Sequence, residues 1–349
     1  MKNGSRRLRF AILFFFTALF LLQPGISQSL PPLPEDNLAY PVLLISKGVC
    51  SGSGFFYVKD KTIYLVTARH VLFKETSVSI PKIFIFPTSL RHKCFWEKDK
   101  KKEFLIKFYG VMSESERDEL IKAAPKSGHF SYIKAINQLY EESQNLKLRS
   151  NEITLFSNVH KSFGGIGINE IEVQLTRHFK SGHVKYHPTH DVAFIRIGIL
   201  KGVAGEYKME GLKGLTKKQG NGIIGLSEEN VKLLNDVTVG NQVFVFGYPT
   251  SITAINPWLN IKLPLLRKGI IAGKNEVLKA IILDCPVFQG NSGGLVIEVD
   301  KISFSTTKYM GIGLITNFIP FHGKWYQNSG YSIVVPMDFV EELIAGQTK

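Results

Sequence analysis

The sequence predicts an all-β protein of the barrel or sandwich kind. Short runs rich in β-branched and aromatic residues recur toward both ends of the chain, as in Ile63-Tyr64-Leu65-Val66-Thr67 and Val192-Ala193-Phe194-Ile195. Glycine and proline punctuate those runs at the spacing of short strands and turns. Hydrophobic residues make up 44% of 349 positions, enough to bury a sizeable core without disulfide support.

The elements follow in chain order. Lys2, Arg6, Arg7 and Arg9 precede an apolar stretch at 10–22, and Gly25-Ile26-Ser27 supplies small residues beyond it. The apolar stretch is shorter than the about 20 residues that cross a bilayer core. Residues 1–27 therefore read as a signal peptide for export to the periplasm or beyond the cell, or as a membrane anchor if uncleaved. Residues 28–38, with Pro31-Pro32-Leu33-Pro34, read as a linker. Ser51-Gly52-Ser53-Gly54 is a turn that leads into a strand, and the apolar run from Ile63 ends at His70. Within 91–182 two helices are expected. One has the capping-box pattern Ser113-Glu114-Ser115-Glu116; the other repeats Ile133, Ile136, Leu139 and Tyr140 at helical spacing. Gly164-Gly165-Ile166-Gly167 lacks the lysine and hydroxyl of a phosphate loop and reads as a turn. Residues 201–225, rich in glycine and lysine, read as a linker, and Leu295-Val296-Ile297-Glu298-Val299 as a strand.

The formal charge of +14 is compatible with weak association with anionic surfaces. The excess is scattered and no nucleic-acid motif accompanies it, so no nucleic-acid partner is expected. Its densest run, 93–107, reads as a solvated loop. Cys50, Cys94 and Cys285 are odd in number, so they cannot form a closed disulfide framework, and a Cys50–Cys285 bridge stays open. His92-Lys93-Cys94 lacks completing ligands, and no metal or organic cofactor is predicted.

Chemistry concentrates in Gln289-Gly290-Asn291-Ser292-Gly293-Gly294. A serine hydroxyl is a poor nucleophile unless a base takes its proton and donors receive the developing oxyanion. Flanking glycines allow a tight, partly left-handed turn that aims successive N–H groups at one point. His70 at a strand end can be the base. Asp191 at the mouth of an apolar strand can hold its ring in the required tautomer. Each residue alone has a structural explanation; the three together, in the order His, Asp, Ser, point to nucleophilic hydrolysis.

On these pieces the chain resembles the chymotrypsin-like serine peptidases, and more closely their HtrA-type bacterial branch. The resemblance rests on Val66-Thr67-Ala68-Arg69-His70-Val71, His190-Asp191-Val192-Ala193-Phe194-Ile195 and Gln289-Gly290-Asn291-Ser292-Gly293-Gly294. It covers roughly 39–90 and 183–349. Gly240-Asn241-Gln242-Val243-Phe244-Val245-Phe246-Gly247-Tyr248-Pro249 is similar to the start of that family's second barrel. Tyr331-Ser332-Ile333-Val334-Val335-Pro336 is similar to its closing strand, and 337–345 to its terminal helix.

The resemblance implies two six-stranded antiparallel β-barrels: 39–200, with a helical insert at about 91–182, and 226–349, joined through 201–225. It implies a Ser-His-Asp triad of Ser292, His70 and Asp191, with an oxyanion hole made by the N–H groups of Gly290 and Ser292. The implied activity is endopeptidase cleavage of protein or peptide substrates through an acyl-enzyme, with oligomeric state left open. Pro286, six residues before the serine, and Gly313, Leu314, Ile315 and Thr316 are the implied substrate-pocket residues; lacking an acid, they favour a small or aliphatic side chain. Asn291 stands where zymogen-activated relatives carry Asp, which argues against activation by a freed N-terminus. The chain ends at Lys349, too soon after Ser292 for the PDZ domain common in HtrA-type enzymes.

Two other classes fit part of the pattern. Gly290-Asn291-Ser292-Gly293-Gly294 also satisfies the Gly-x-Ser-x-Gly elbow of secreted esterases. A peptidase fold without turnover, serving as a binding protein, is the other.

Overall fold

The short apolar runs become strands that bury alternate side chains. The computed structural model describes residues 40–46, 49–74, 76–80, 87–90, 94–98, 104–108, 111–126, 129–159, 167–201, 208–211, 215–219, 223–253, 256, 258–301, 307–322 and 326–346. The predicted signal peptide and linker lie outside them, as do residues 164–166 of the predicted glycine turn. The described residues all belong to one compact unit.

The chain first lays down β1 (Pro41–Ser46), β2 (Val49–Lys59), β3 (Thr62–Thr67) and the one-turn α1 (Arg69–Leu72). There follow β4 (Thr76–Ile80), β5 (Cys94–Lys98), β6 (Phe104–Phe108), α2 (Glu114–Ala123) and α3 (His129–Gln144). Next come β7 (Ile153–Val159), β8 (Gly167–Val173), α4 (Leu175–Lys180), β9 (Val184–Tyr186) and β10 (Ala193–Lys201). Then β11 (Lys208–Gly211), β12 (Leu215–Gln219) and β13 (Gly225–Ser227) complete this half. The second half holds β14 (Gln242–Gly247), α5 (Thr250–Thr253), β15 (Leu265–Asn275) and β16 (Ala280–Asp284). It ends with β17 (Leu295–Lys301), β18 (Thr307–His322), β19 (Tyr326–Pro336) and α6 (Met337–Ala345).

The second half closes as predicted, in the order β14-β15-β16-β19-β18-β17, a six-stranded antiparallel barrel. Val243, Val245, Ile271, Ile281, Leu283, Val296, Ile312 and Val334 fill it. The terminal helix α6 also forms as expected and buries Met337, Phe339, Val340 and Leu343.

The first half differs from a closed six-stranded barrel. Ten of its thirteen strands form one sheet with the path β11-β10-β3-β2-β1-β7-β8-β12, to which β9 and β13 attach. Val42, Phe56, Leu65, Leu155, Ile171, Val173 and Ile195 nevertheless share one core. Strands as far apart in the order as β8 and β10 can meet in one cluster only if the sheet curls, as twisted sheets do. The interior of a half-barrel is therefore filled without ring closure among the described residues.

Three boundary predictions need correction. Residues 153–159 and 167–173 are not insert but β7 and β8, paired with β1 and with each other. What is inserted is a three-stranded sheet, β4-β6-β5, with α2 and α3 on it. The insert has its own core of Ile106, Phe108, Met112, Leu120, Tyr132, Ile136 and Leu139. The basic run 93–107, read as a solvated loop, contributes β5 and β6, and Ile106 is buried. Residues 201–225 are more than a linker, because β11, β12 and β13 pair with β10, β8 and β2. Edge strands bury little side chain, so apolar periodicity does not announce them. Cys285 is buried and unbridged.

Candidate active site

Antiparallel pairing brings the predicted base and acid together. Ala193 in β10 sits opposite Thr67 in β3, so the residues just past one strand and just before the other share one end of the sheet. There His70 Nδ1 lies 2.6 Å from Asp191 Oδ2, and the His70 backbone N–H donates to Asp191 Oδ1 at 3.0 Å. Burial pushes the Asp191 carboxyl upward, but the His70 charge and hydrogen bonds and the Arg69 charge outweigh it and hold the group at about 2. It is therefore ionised at neutral pH. A carboxylate on Nδ1 fixes the ring so that Nε2 is the nitrogen turned to the role of base.

Arg69, not singled out from the sequence, lies beneath this pair. It is only 3% exposed. Its guanidinium donates to the carbonyls of His187 at 2.6 Å and Pro188 at 3.2 Å, tying down the turn that precedes Asp191.

Ser292 comes from the closed barrel and is seated on the other half by backbone. The Ser53 N–H donates to the Ser292 carbonyl at 2.8 Å. Gly293, at φ +86°, lies so close to the end of β3 that a Cβ there would overlap the Ser53 carbonyl and the Thr67 hydroxyl. The neighbouring Gly293 N–H donates to the Ile315 carbonyl at 2.6 Å. The hydrogen bond made by Ser292 Oγ runs to the Thr316 carbonyl at 3.5 Å, at the limit for such a bond.

The loop before the serine is held open. Gly290 has φ +98°, and a Cβ there would overlap the Tyr248 carbonyl. Its own carbonyl accepts from the buried Ser53 hydroxyl at 2.6 Å, and that hydroxyl accepts in turn from the Tyr248 N–H at 2.9 Å. The Gln289 carbonyl accepts from the Ser251 N–H at 3.4 Å and from its hydroxyl at 3.3 Å. A trans peptide points its carbonyl and its N–H in opposite directions. The Gly290 N–H, in the same peptide as the Gln289 carbonyl, therefore faces away from Ser251. Among the described residues neither the Gly290 nor the Ser292 N–H has an acceptor. Asn291, 1% exposed, closes the loop on itself, accepting from the Phe288 N–H at 3.0 Å. Its side chain needs no freed amine to hold the loop.

His70, Asp191, Gly290 and Ser292 all line one cavity of about 740 Å³. Ile315 and Thr316 line it too. Pro286, Gly313 and Leu314 do not: Pro286 is exposed, and Gly313 and Leu314 are buried in the barrel wall. The apolar lining comes instead from Val287, Phe288, Phe318, Ile333 and Val335. Counting back from the serine misplaces the pocket because the 285–290 loop turns Pro286 outward. The esterase elbow needs a helix after the serine; Leu295–Lys301 is a strand of the barrel.

The fold is chymotrypsin-like. A closed antiparallel barrel, a curled sheet beside it and a cavity lined from both halves support that reading. No family model matches the sequence, and no curated protein matches it. Among solved structures, the chain is similar to the serine endoprotease from Yersinia pestis at 13% identity, covering 88% of this chain and 62% of that one, with a TM-score of 0.37. It is similar to the HtrA-type protease AlgW with tripeptide at 11% identity, over 91% and 64% of the two chains and a TM-score of 0.39. For Deg5 the identity is 14%, the coverage 88% of each chain and the TM-score 0.37. The chain thus spans under two thirds of the length of the first two.

Proposed function

We propose that this chain is an exported serine endopeptidase whose triad is Ser292, His70 and Asp191. One observation carries the reading: an ionised Asp191 bonded to His70 Nδ1 shares a cavity with a serine whose loop leaves two N–H groups without acceptors among the described residues. In this reading Ser292 Oγ attacks a scissile carbonyl while His70 takes its proton. The Gly290 and Ser292 N–H groups receive the oxyanion, and His70 then returns the proton to the departing amine. Water, activated by the same imidazole, releases the acyl group. Ser292 Oγ must rotate away from the Thr316 carbonyl toward His70, a movement common when a substrate enters a resting site.

A peptide has a natural docking edge. Pairing between β17 and β18 stops at Leu295 and Leu314. The backbone of 316–319 beyond it borders the cavity, and an extended peptide can add there as a strand. The apolar lining favours a small or aliphatic residue at the cleavage position, since lysine or arginine would be desolvated there without a counter-charge. The reading of 1–27 as an export signal supports a periplasmic or extracellular location.

The Ser292–Thr316 hydrogen bond gives a non-catalytic binding protein its one support. Fluorophosphonate labelling separates the two. Labelling of Ser292 that disappears in both Ser292→Ala and His70→Ala is the peptidase result. Folded wild-type protein that takes no label would rule it out. Peptide-library profiling then reads the cleavage preference.

A further inference from the structure

The turn that delivers Asp191 is built around an imidazole which the reaction does not need. His187 is 5% exposed. Its Nδ1 lies 3.2 Å from the Thr189 N–H and 3.0 Å from the His190 N–H, and both backbone groups donate to it. An atom that accepts two N–H bonds carries no proton, so the remaining proton is on Nε2. That nitrogen lies 3.4 Å from Glu342 Oε2 on α6. The same helix supplies Phe339, which packs edge-on against His187 at 5.2 Å and stacks on His190 at 3.4 Å and 16°. From below, Arg69 holds the His187 carbonyl at 2.6 Å. The His187 N–H donates to the Val192 carbonyl at 2.9 Å, so the turn is closed on both sides of Asp191.

We infer that His187 is a positioning residue for Asp191: its neutral ring caps the turn presenting that carboxylate and fastens it to the C-terminal helix. A turn with fewer ties would let the carboxylate drift, and the His70 ring with it. Misplacement of a catalytic group by about 1 Å costs about 10²-fold in rate. Nδ1 is the atom that matters, and asparagine places its Oδ1 at nearly the same point, where it can accept the same N–H groups.

The inference rests on the peptidase reading for its kinetic test, but not for its structural one. His187→Ala and His187→Asn are compared in the full chain, by cleavage of a peptide found in the library profile and by fluorophosphonate labelling rate. Expected is a loss of about 10²-fold in kcat for His187→Ala with KM within about threefold, and recovery to within about fivefold of wild type in His187→Asn. Equal losses in both variants, or an unaffected His187→Ala, would overturn it, because packing alone then explains the ring. The second measurement is the tautomer of His187 by ¹⁵N NMR of the wild-type protein. A protonated Nε2 and bare Nδ1 support the inference; a protonated Nδ1 defeats it. This readout stands even if the variant does not fold, or if wild-type protein takes no label and the peptidase reading itself falls.

Discussion

Burial alone would raise the Asp191 carboxyl, yet the His70 ring and backbone and the nearby Arg69 charge hold it at about 2, against an ordinary 3.8. Because the folded value is the lower one, this group adds stability that is complete above its ordinary range and lost as pH falls through about 2. Replacing Asp191 by Asn should flatten the urea-melting midpoint between about pH 2 and about pH 5. It should also cut kcat by about 10⁴-fold, because the amide favours the wrong tautomer of His70. Unchanged hydrolysis in Asp191→Asn would reassign the acid. Gly293 belongs to the same scale. Its positive φ and the Ser53 carbonyl against it leave no room for a methyl. Gly293→Ala should therefore lower both the labelling rate and the thermal midpoint, measured on the same sample.

At the scale of elements, the insert behaves as a small domain with its own determinants. Helix α2 starts at a capping box: the Ser113 hydroxyl accepts from the Glu116 N–H at 3.2 Å, and Glu116 Oε2 accepts from the Ser113 N–H at 2.8 Å. Ser113→Ala should cost about 1 kcal/mol, read as faster hydrogen exchange across α2 with hydrolysis unaltered. Helix α3 turns Tyr132, Ala135, Ile136 and Leu139 onto β6 and its neighbours. Leu139→Ala should cost about 2–5 kcal/mol in that core. A change confined to the catalytic turn instead would show that the insert is not an independent packing unit.

Across the whole molecule the two halves are joined by the Ser53 hydroxyl and by the last helix. Ser53, from the first half, bonds both the Gly290 carbonyl and the Tyr248 N–H of the second. From α6, Glu341 accepts from the Tyr57 hydroxyl and from Lys59 on β2. Burial, then the Glu341 hydrogen bond, raises the Tyr57 hydroxyl above its usual range, so it stays a donor throughout the stability range of proteins. Glu341→Ala should strand that hydroxyl and destabilise by about 1–3 kcal/mol, seen in denaturant titration as a lower midpoint. Because α6 also meets the Asp191 turn, the same variant should slow labelling of Ser292. A lower midpoint with unaltered labelling would separate the helix from the site.

The capping box of α2, the strands leading to His70 and following Asp191, and the glycine-bound Ser292 could be read from the chain because each is a local pattern: a cap, an alternation, a turn. The amphipathic period of α3 was legible for the same reason. The extent of the insert, the pairing of β11 to β13 and the open first sheet could not, because edge strands carry little apolar periodicity and pairing is decided between distant segments. Arg69, Ser53 and His187 look ordinary in sequence; the packing of β3, β10 and α6 around one turn gives Arg69 and His187 their work, and the meeting of β2 with the Gly290 loop gives Ser53 its own. Pro286 teaches the converse, since a position counted from the serine says nothing of which way a loop turns. What the amino-acid order settled by itself was which residues could do the chemistry. Which of them share a cavity was decided by long-range strand pairing, since hydrogen bonds between remote backbones set distances that no local sequence encodes.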